Sequence, residues 1–209
     1  IAEKAKRYDI ELFSLACSLY WQYSLTSDNE AEREKAKEIV KKQLELASYI
    51  GADTILVVPG AVNVSFAPGL GTVSYKNAYE RSQSALKELS PYAEKCGVFI
   101  AIENVWNKFL LSPVEMNDFI EKVGSPFVGS YFDVGNTLSN GYPEHWIEIL
   151  GNKIKKVHFK DYRIDAGNLS GFVDLLSGDV DYPKVMSALK KAGYDGWVTA
   201  EMIPPYKHY

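Results

Sequence analysis

A helical pattern that stops at a glycine and is followed within a few residues by a short apolar run recurs five times in this chain, at Gly51, Gly97, Gly124, Gly151 and Gly193. Strict repetition of helix, cap and strand restricts the fold more than any single motif, because strands separated by helices pair side by side in the same direction. Six runs read as strands: 9–17, 53–59, 98–104, 127–133, 154–160 and 196–202. Each is nearly continuous in apolar residues, which predicts burial on both faces. Helices are expected near 28–50, 75–96, 113–123, 143–150 and 181–192, and residues 1–8 read as the tail of another. Ser27 to Glu30 and Ser112 to Glu115 have capping-box spacing, the second with Pro113 at the first helical position.

Loop lengths then favour a barrel over an open sheet. Connections from helix to next strand take a few residues, whereas those from strand to next helix are long, at 18–27, 60–74, 104–112 and 161–180. Long connections at one end only mark the working face of a (β/α)8 barrel. Six strands are two short of that ring, and 209 residues fall below the typical length of about 250. The expected fold is therefore α/β of the TIM-barrel type, a single domain over 1–209 with six βα units and the first two missing. Either the chain is a fragment of a longer protein, or it is a partial barrel whose edges need cover from a partner or a second copy.

Charge and composition narrow the partners. Lys and Arg number 23 against 27 Asp and Glu, a net charge of −4 with no basic stripe, which argues against nucleic acid and anionic membrane. No apolar run approaches the roughly 20 residues of a membrane span, and Ile1-Ala2-Glu3-Lys4 lacks a signal-peptide core, so a cytoplasmic setting is expected. Cys17 and Cys96 show neither metal nor redox spacing and read as reduced thiols. Gly69-Leu70-Gly71 lacks the context of a dinucleotide fingerprint, and no phosphate-cradling loop exists. The expected partner is a small molecule, with a homo-oligomer left open.

The polar residues that interrupt the strand ends carry the chemistry. Glu103, Asp133, His158 and Glu201 each stand at or near the end of one of four consecutive strands. One carboxylate of this kind is most often a solvated strand end, but four hard-ligand side chains at one level are a coincidence that asks for a cause. Three converging carboxylates repel one another, and a divalent cation relieves that repulsion. Three oxygen donors and one imidazole suit Mn²⁺, Mg²⁺ or Co²⁺ better than structural Zn²⁺. His158 and Lys160 point to the same side by strand alternation, so Lys160 faces the pocket or closes an ion pair with a neighbouring carboxylate. Arg163, just past the strand, is a candidate for holding a substrate hydroxyl or phosphate. Tyr20, Trp21 and Tyr23 fall in one top-face loop and Trp106 in another, where they shield the mouth or pack against a sugar. His145 reads as a surface residue.

The segments AIENVWNKFLLSP (101–113), GSYFDVGN (129–136), VHFKD (157–161) and TAEM (199–202) together resemble the sugar phosphate isomerase/epimerase family of xylose isomerase-like TIM barrels. The resemblance is nearest in style to D-tagatose 3-epimerases and to L-ribulose- or L-xylulose-5-phosphate 3-epimerases, and it runs over essentially the whole chain. It implies a divalent metal, commonly Mn²⁺, held by Glu103, Asp133, His158 and Glu201, with Glu103 and Glu201 as the proton-transfer pair. The implied reaction is isomerisation or epimerisation of a ketose or ketose phosphate through an enediolate. Asn136 stands where tagatose-type enzymes carry a histidine, three residues after the metal Asp, and Phe109 where they carry a further glutamate, six residues after the first metal Glu. Asn136, Lys160, Arg163 and Trp106 are the candidate substrate contacts. A metal-dependent lyase of the inosose dehydratase type, a nuclease resembling endonuclease IV and a non-catalytic partial barrel are the alternatives; three histidines and a net charge of −4 argue against the nuclease.

Overall fold

In the computed structural model, which describes residues 1–202, the glycine stops fall where helix gives way to strand, and Gly51, Gly97 and Gly124 cap their helices in the left-handed conformation. Helix α1 (Ala2–Arg7) precedes β1 (Ser14–Leu15). Then α2 (Glu30–Ile50) leads to β2 (Thr54–Val57), α3 (Tyr75–Cys96) to β3 (Phe99–Glu103), α4 (Pro113–Val123) to β4 (Val128–Asp133), and α5 (Pro143–Leu150) to β5 (Ile154–Phe159). A short antiparallel ribbon of β6 (Asp161–Tyr162) and β7 (Phe172–Val173) follows, and α6 (Tyr182–Lys191) and β8 (Val198–Ala200) complete the order. The last seven residues of the expected domain lie outside the described residues.

Six strands form one parallel sheet in the order β1-β2-β3-β4-β5-β8, with α2 to α6 packed helix against helix in sequence. This is the expected partial barrel. Continuous apolar sequence buries β2 and β4 on both faces, with Ile55, Val57, Ile100, Ile102, Phe132 and Val157 fully enclosed. The outer strands depart from the expectation. Run 9–17 pairs only over Ser14 and Leu15, β1 is half-buried, and Val198 and Ala200 of β8 are exposed, because each has a hydrogen-bonding neighbour on one side alone. Beside β1 and α2 an apolar groove of about 740 Å³ is lined by Leu15, Cys17, Ile39 and Leu46.

No ladder joins β1 to β8, yet the sheet curls far enough that their approaches meet. Phe13 and Trp197 stack with centroids 4.8 Å apart, and Ser14 Oγ lies 3.1 Å from Tyr131 Oη of β4. Side chains, not backbone, span the open side at this end.

One cap follows its expected pattern and one is shifted. Ser112 Oγ accepts from the Glu115 N–H, while the Glu115 carboxylate accepts from Leu111 N–H. At α2, Asn29 rather than Ser27 is the cap and accepts from Ala31 N–H; Ser27 instead donates to Glu32 at 2.6 Å. The shift arises because Asn29 is itself a strong capping residue two positions nearer the helix. Among the described residues no helix is long and apolar enough to cross a membrane.

Candidate functional site

Register places the four ligand-type residues on one face. Laterally paired residues of a parallel sheet point the same way, as do residues two apart along a strand. Glu103 pairs with Tyr131, Asp133 with His158, and His158 with Thr199. Glu103, Tyr131, Asp133, His158, Lys160 and Glu201 therefore share the inner face at the C-terminal end of the sheet. One ligand atom from each of Glu103, Asp133, His158 and Glu201 lies within 4.8 Å of all the others.

At the centre, His158 Nδ1 is 3.0 Å from Glu103 Oε1, 2.9 Å from Glu201 Oε2 and 3.9 Å from Asp133 Oδ2. One ring nitrogen, carrying at most one proton, faces three carboxylates and cannot satisfy them. Glu103 and His158 are buried and Asp133 is completely enclosed, whereas the Glu201 side chain, just past the end of the edge strand β8, keeps 36% of its surface exposed. Asp133 Oδ2 and Glu201 Oε2 are buried without a hydrogen bond of acceptable angle, although Lys160 Nζ stands 2.8 Å from each as an ion-pair partner. Two under-satisfied buried carboxylate oxygens beside an imidazole and a third carboxylate form the donor set that a hard divalent cation requires, so the residues present fit such an ion.

The electrostatics express the same crowding. Burial opposes charge on His158, but the Glu103 hydrogen bond and the close Glu201 carboxylate outweigh it and lift the imidazole to about 9. Burial, with Glu103 and Glu201 adding and Lys160 opposing, raises Asp133 to about 7. Burial also works to raise Glu201, but the imidazole of His158 and the ammonium of Lys160, 2.9 and 2.8 Å away, overcome it and hold that carboxyl at about 2. Burial would lower Lys160, yet Asp133, Glu103 and Glu201 carry it above the ordinary lysine value.

A shell of amides fixes Asp133. The Asn104 side chain accepts from Asp133 N–H at 2.8 Å and donates to Asp133 C=O at 2.8 Å, while Asn136 N–H donates to Asp133 Oδ1 at 2.7 Å. Asn136 Nδ2 closes the shell on Asn104 C=O at 2.9 Å. Tyr131 lays its ring 4.4 Å from the His158 ring. Asn104 and Tyr131 were not singled out from the sequence. The only signal for Asn104 is its place directly after the strand-ending Glu103, and Tyr131 reads there as an ordinary core aromatic.

Lys160 combines both of its expected roles, since it faces the pocket and pairs with carboxylates. Asn136 sits beside the cluster with its side chain engaged in bracing. Trp106 donates from Nε1 to Asn136 C=O and packs against Tyr162 and Phe172, 5.1 and 5.0 Å away. Trp106, Asn104 and Asn136 also line a cavity of about 240 Å³ with Lys108 and Asn140. Arg163 is not brought to the cluster: it is exposed, and Nε donates to Ser177 C=O at 3.1 Å, because the ribbon after β5 turns its side chain outward. Phe109 is buried among Tyr75, Tyr79 and Phe119, Tyr20 is a core residue bonded to Gln43, and His145 is exposed beside Tyr142. Asp161 is fully buried and accepts from the N–H groups of Tyr162, Gly178 and Val180, which ties down the 161–180 connection. A Cβ at Gly178 would collide with that carboxylate, so the close approach requires glycine there.

Residues 1–208 match the model of the xylose isomerase-like TIM barrel family. The uncharacterized protein MJ1311 of Methanocaldococcus jannaschii is 23% identical over 208 residues, covering 96% of this chain and 67% of that protein. The L-ribulose-5-phosphate 3-epimerase UlaE of Escherichia coli O157:H7 is 25% identical over 191 residues, 90% of this chain and 63% of its own length. The chain thus spans about two thirds of the length of these curated relatives. The crystal structure of a D-tagatose 3-epimerase-like protein superposes with a TM-score of 0.82 at 24% identity, over 96% of this chain and 74% of the other, a likeness of fold.

Proposed function

The chain belongs to the xylose isomerase-like TIM barrel family, and we propose that it is a divalent-metal-dependent isomerase or epimerase of a ketose or ketose phosphate, acting through an enediolate. The observation behind the proposal is the convergence of Glu103, Asp133, His158 and Glu201 around two buried carboxylate oxygens that lack a well-aligned donor. These four residues would hold the ion, Mn²⁺ ahead of Mg²⁺ or Co²⁺. When bound, it supplies Lewis acidity toward a carbonyl and the neighbouring hydroxyl, which acidifies the C–H between them.

The remaining chemistry falls to side chains. Glu103 on β3 and Glu201 beyond β8 are separated by β4 and β5, so they approach the pocket centre from different sides of His158. One, as carboxylate, takes up the proton from the carbon beside the carbonyl, and the other, as carboxylic acid, delivers its own proton to the opposite face or to the adjacent carbon. Asp133 keeps a ligand role, since the amides of Asn104 and Asn136 fix its backbone and one of its oxygens. Trp106, held over Asn136, supplies an apolar surface suited to the C–H face of a sugar. Arg163 has no part in this assignment, being exposed and bonded to its own loop.

The test is metal-stripped protein re-supplied with Mn²⁺, Mg²⁺ or Co²⁺ and offered a panel of ketoses and ketose phosphates in D₂O, with NMR reading deuterium at the carbons flanking the carbonyl. Metal-dependent interconversion with deuterium incorporation is the expected result. Failure to bind any of the three ions, or loss of water from the substrate in place of interconversion, would overturn the proposal.

A further inference from the structure

Lys160 has no task in the proton transfers above, yet its side chain is only 5% exposed and lies deep in the cluster. Its Nζ is 2.8 Å from Asp133 Oδ2 and 2.8 Å from Glu201 Oε2. These are the two oxygens that lack a hydrogen bond of good angle, and both face His158 Nδ1. An ion held by Glu103, Asp133, His158 and Glu201 draws on the same oxygens. A lysine ammonium and a divalent cation repel strongly at contact distance in a buried site, so they cannot occupy those oxygens together.

We propose that Lys160 is a built-in counter-cation that competes with the metal for Asp133 and Glu201, so that the ion binds only by moving the ammonium off both oxygens. The inference rests on the metal-dependent function proposed above. The structure offers the displaced ammonium a place to go: Asn136 Oδ1 is 3.4 Å away, and the Phe172 ring, 5.3 Å from Nζ, presents its face to the charge. The four-carbon stem of lysine has the freedom for such a move. The consequence is a site that tolerates its carboxylates without a metal, at the expense of metal affinity.

The test uses the whole chain and Mn²⁺ alone. Wild type, Lys160→Met and Lys160→Arg are stripped of metal and titrated at a single pH, with free Mn²⁺ followed by electron paramagnetic resonance. Lys160→Met keeps the length and loses the charge, and should bind Mn²⁺ at least about tenfold more tightly. Lys160→Arg keeps the charge and should stay within about threefold of wild type. Unchanged or weaker binding in Lys160→Met, with wild type binding normally, overturns the counter-cation role and leaves the proposed function standing. Wild type that takes up no Mn²⁺ overturns both. If Lys160→Met does not fold, the wild-type protein decides: the ¹⁵Nζ signal of Lys160, identified by its loss in Lys160→Arg, should shift on addition of Mg²⁺. A signal that stays in place at saturating Mg²⁺ overturns the proposal.

Discussion

Raising the pH should tighten metal binding steeply, and the geometry sets how steeply. His158 meets the cluster through Nδ1, which must shed its proton to become a ligand. Burial works against that proton, but Glu103 at 3.0 Å and Glu201 at 2.9 Å outweigh it and place the imidazole at about 9. At pH 7 the proton sits two units below that value, so releasing it costs about 2.7 kcal/mol and holds the apparent Mn²⁺ affinity roughly a hundredfold under its limit. Between pH 7 and 8.5 the apparent Kd should fall about 50-fold, about 25-fold from the His158 proton and about twofold from Asp133, which at about 7 is half-protonated at the start. Below pH 7 the slope should approach roughly a hundredfold per unit, because Asp133, raised to about 7 chiefly by burial, then also holds its proton and must release it. Glu201, held at about 2, stays ionised across this range. Anaerobic Mn²⁺ titrations at pH 6, 7 and 8.5 measure the slope, and calorimetry in two buffers of different ionisation enthalpy counts the protons, with about one released per ion near pH 8. A Kd that does not change between pH 7 and 8.5 would refute the assignment of His158 Nδ1 as a ligand.

The metal-free protein should show the opposite trend in stability. The raised His158 contributes stability that is fully present below 6.5 and is lost as pH rises toward 9, and the raised Asp133 loses its contribution between 3.8 and about 7, so Tm without metal should drop from pH 6.5 to 9; a flat or rising Tm by circular dichroism contradicts this. Glu201→Gln keeps an oxygen donor but no base, so turnover should fall by roughly 10²–10⁴-fold with modest loss of metal affinity, whereas Asp133→Ala should mainly lose metal and regain part of its activity in excess Mn²⁺; equal metal affinity in the two variants removes the distinction. Asp161→Ala orphans three N–H groups and should cost about 3 kcal/mol by urea denaturation, with faster hydrogen exchange at Gly178 and Val180. Asn104→Ala frees both backbone groups of Asp133 and should lower Tm by about 5–10 °C; a shift under about 2 °C would show that other groups hold the Asp133 turn.

How much of this was legible depended on whether a feature was local or lateral. The positions of α3 and α4, the inward face of β3 to β5 and the level of Glu103, Asp133 and His158 follow from periodicity, capping and strand alternation, all of which are written within a few residues of one another. The width of β1 was not legible, because DIELFSLAC is as apolar as a central strand and the shortage of neighbours that confines its pairing to Ser14 and Leu15 is a property of the sheet. The contact of Phe13 with Trp197 joins residues 184 positions apart, and no spacing rule reaches that far.

The same division runs through the site. Sequence alternation put Lys160 on the ligand face, but its two options, an open pocket residue or an ion pair, were distinguishable only by the curl of the sheet, which brings Asp133 and Glu201 both within 2.8 Å of one ammonium. Arg163 failed for a related reason: alternation holds while the strand continues, and here the ribbon beginning at Asp161 ends it. Asn136 shows the converse. Read by position, it replaces a histidine of the tagatose-type enzymes; in the fold its side-chain NH₂ donates to Asn104 C=O and its backbone N–H to Asp133. The Asn136 side chain could turn to a ligand only by releasing Asn104 C=O and the Lys160 ammonium, while its backbone N–H would go on holding Asp133, so its bracing of the metal-type carboxylate does not depend on the amide that a substrate would meet.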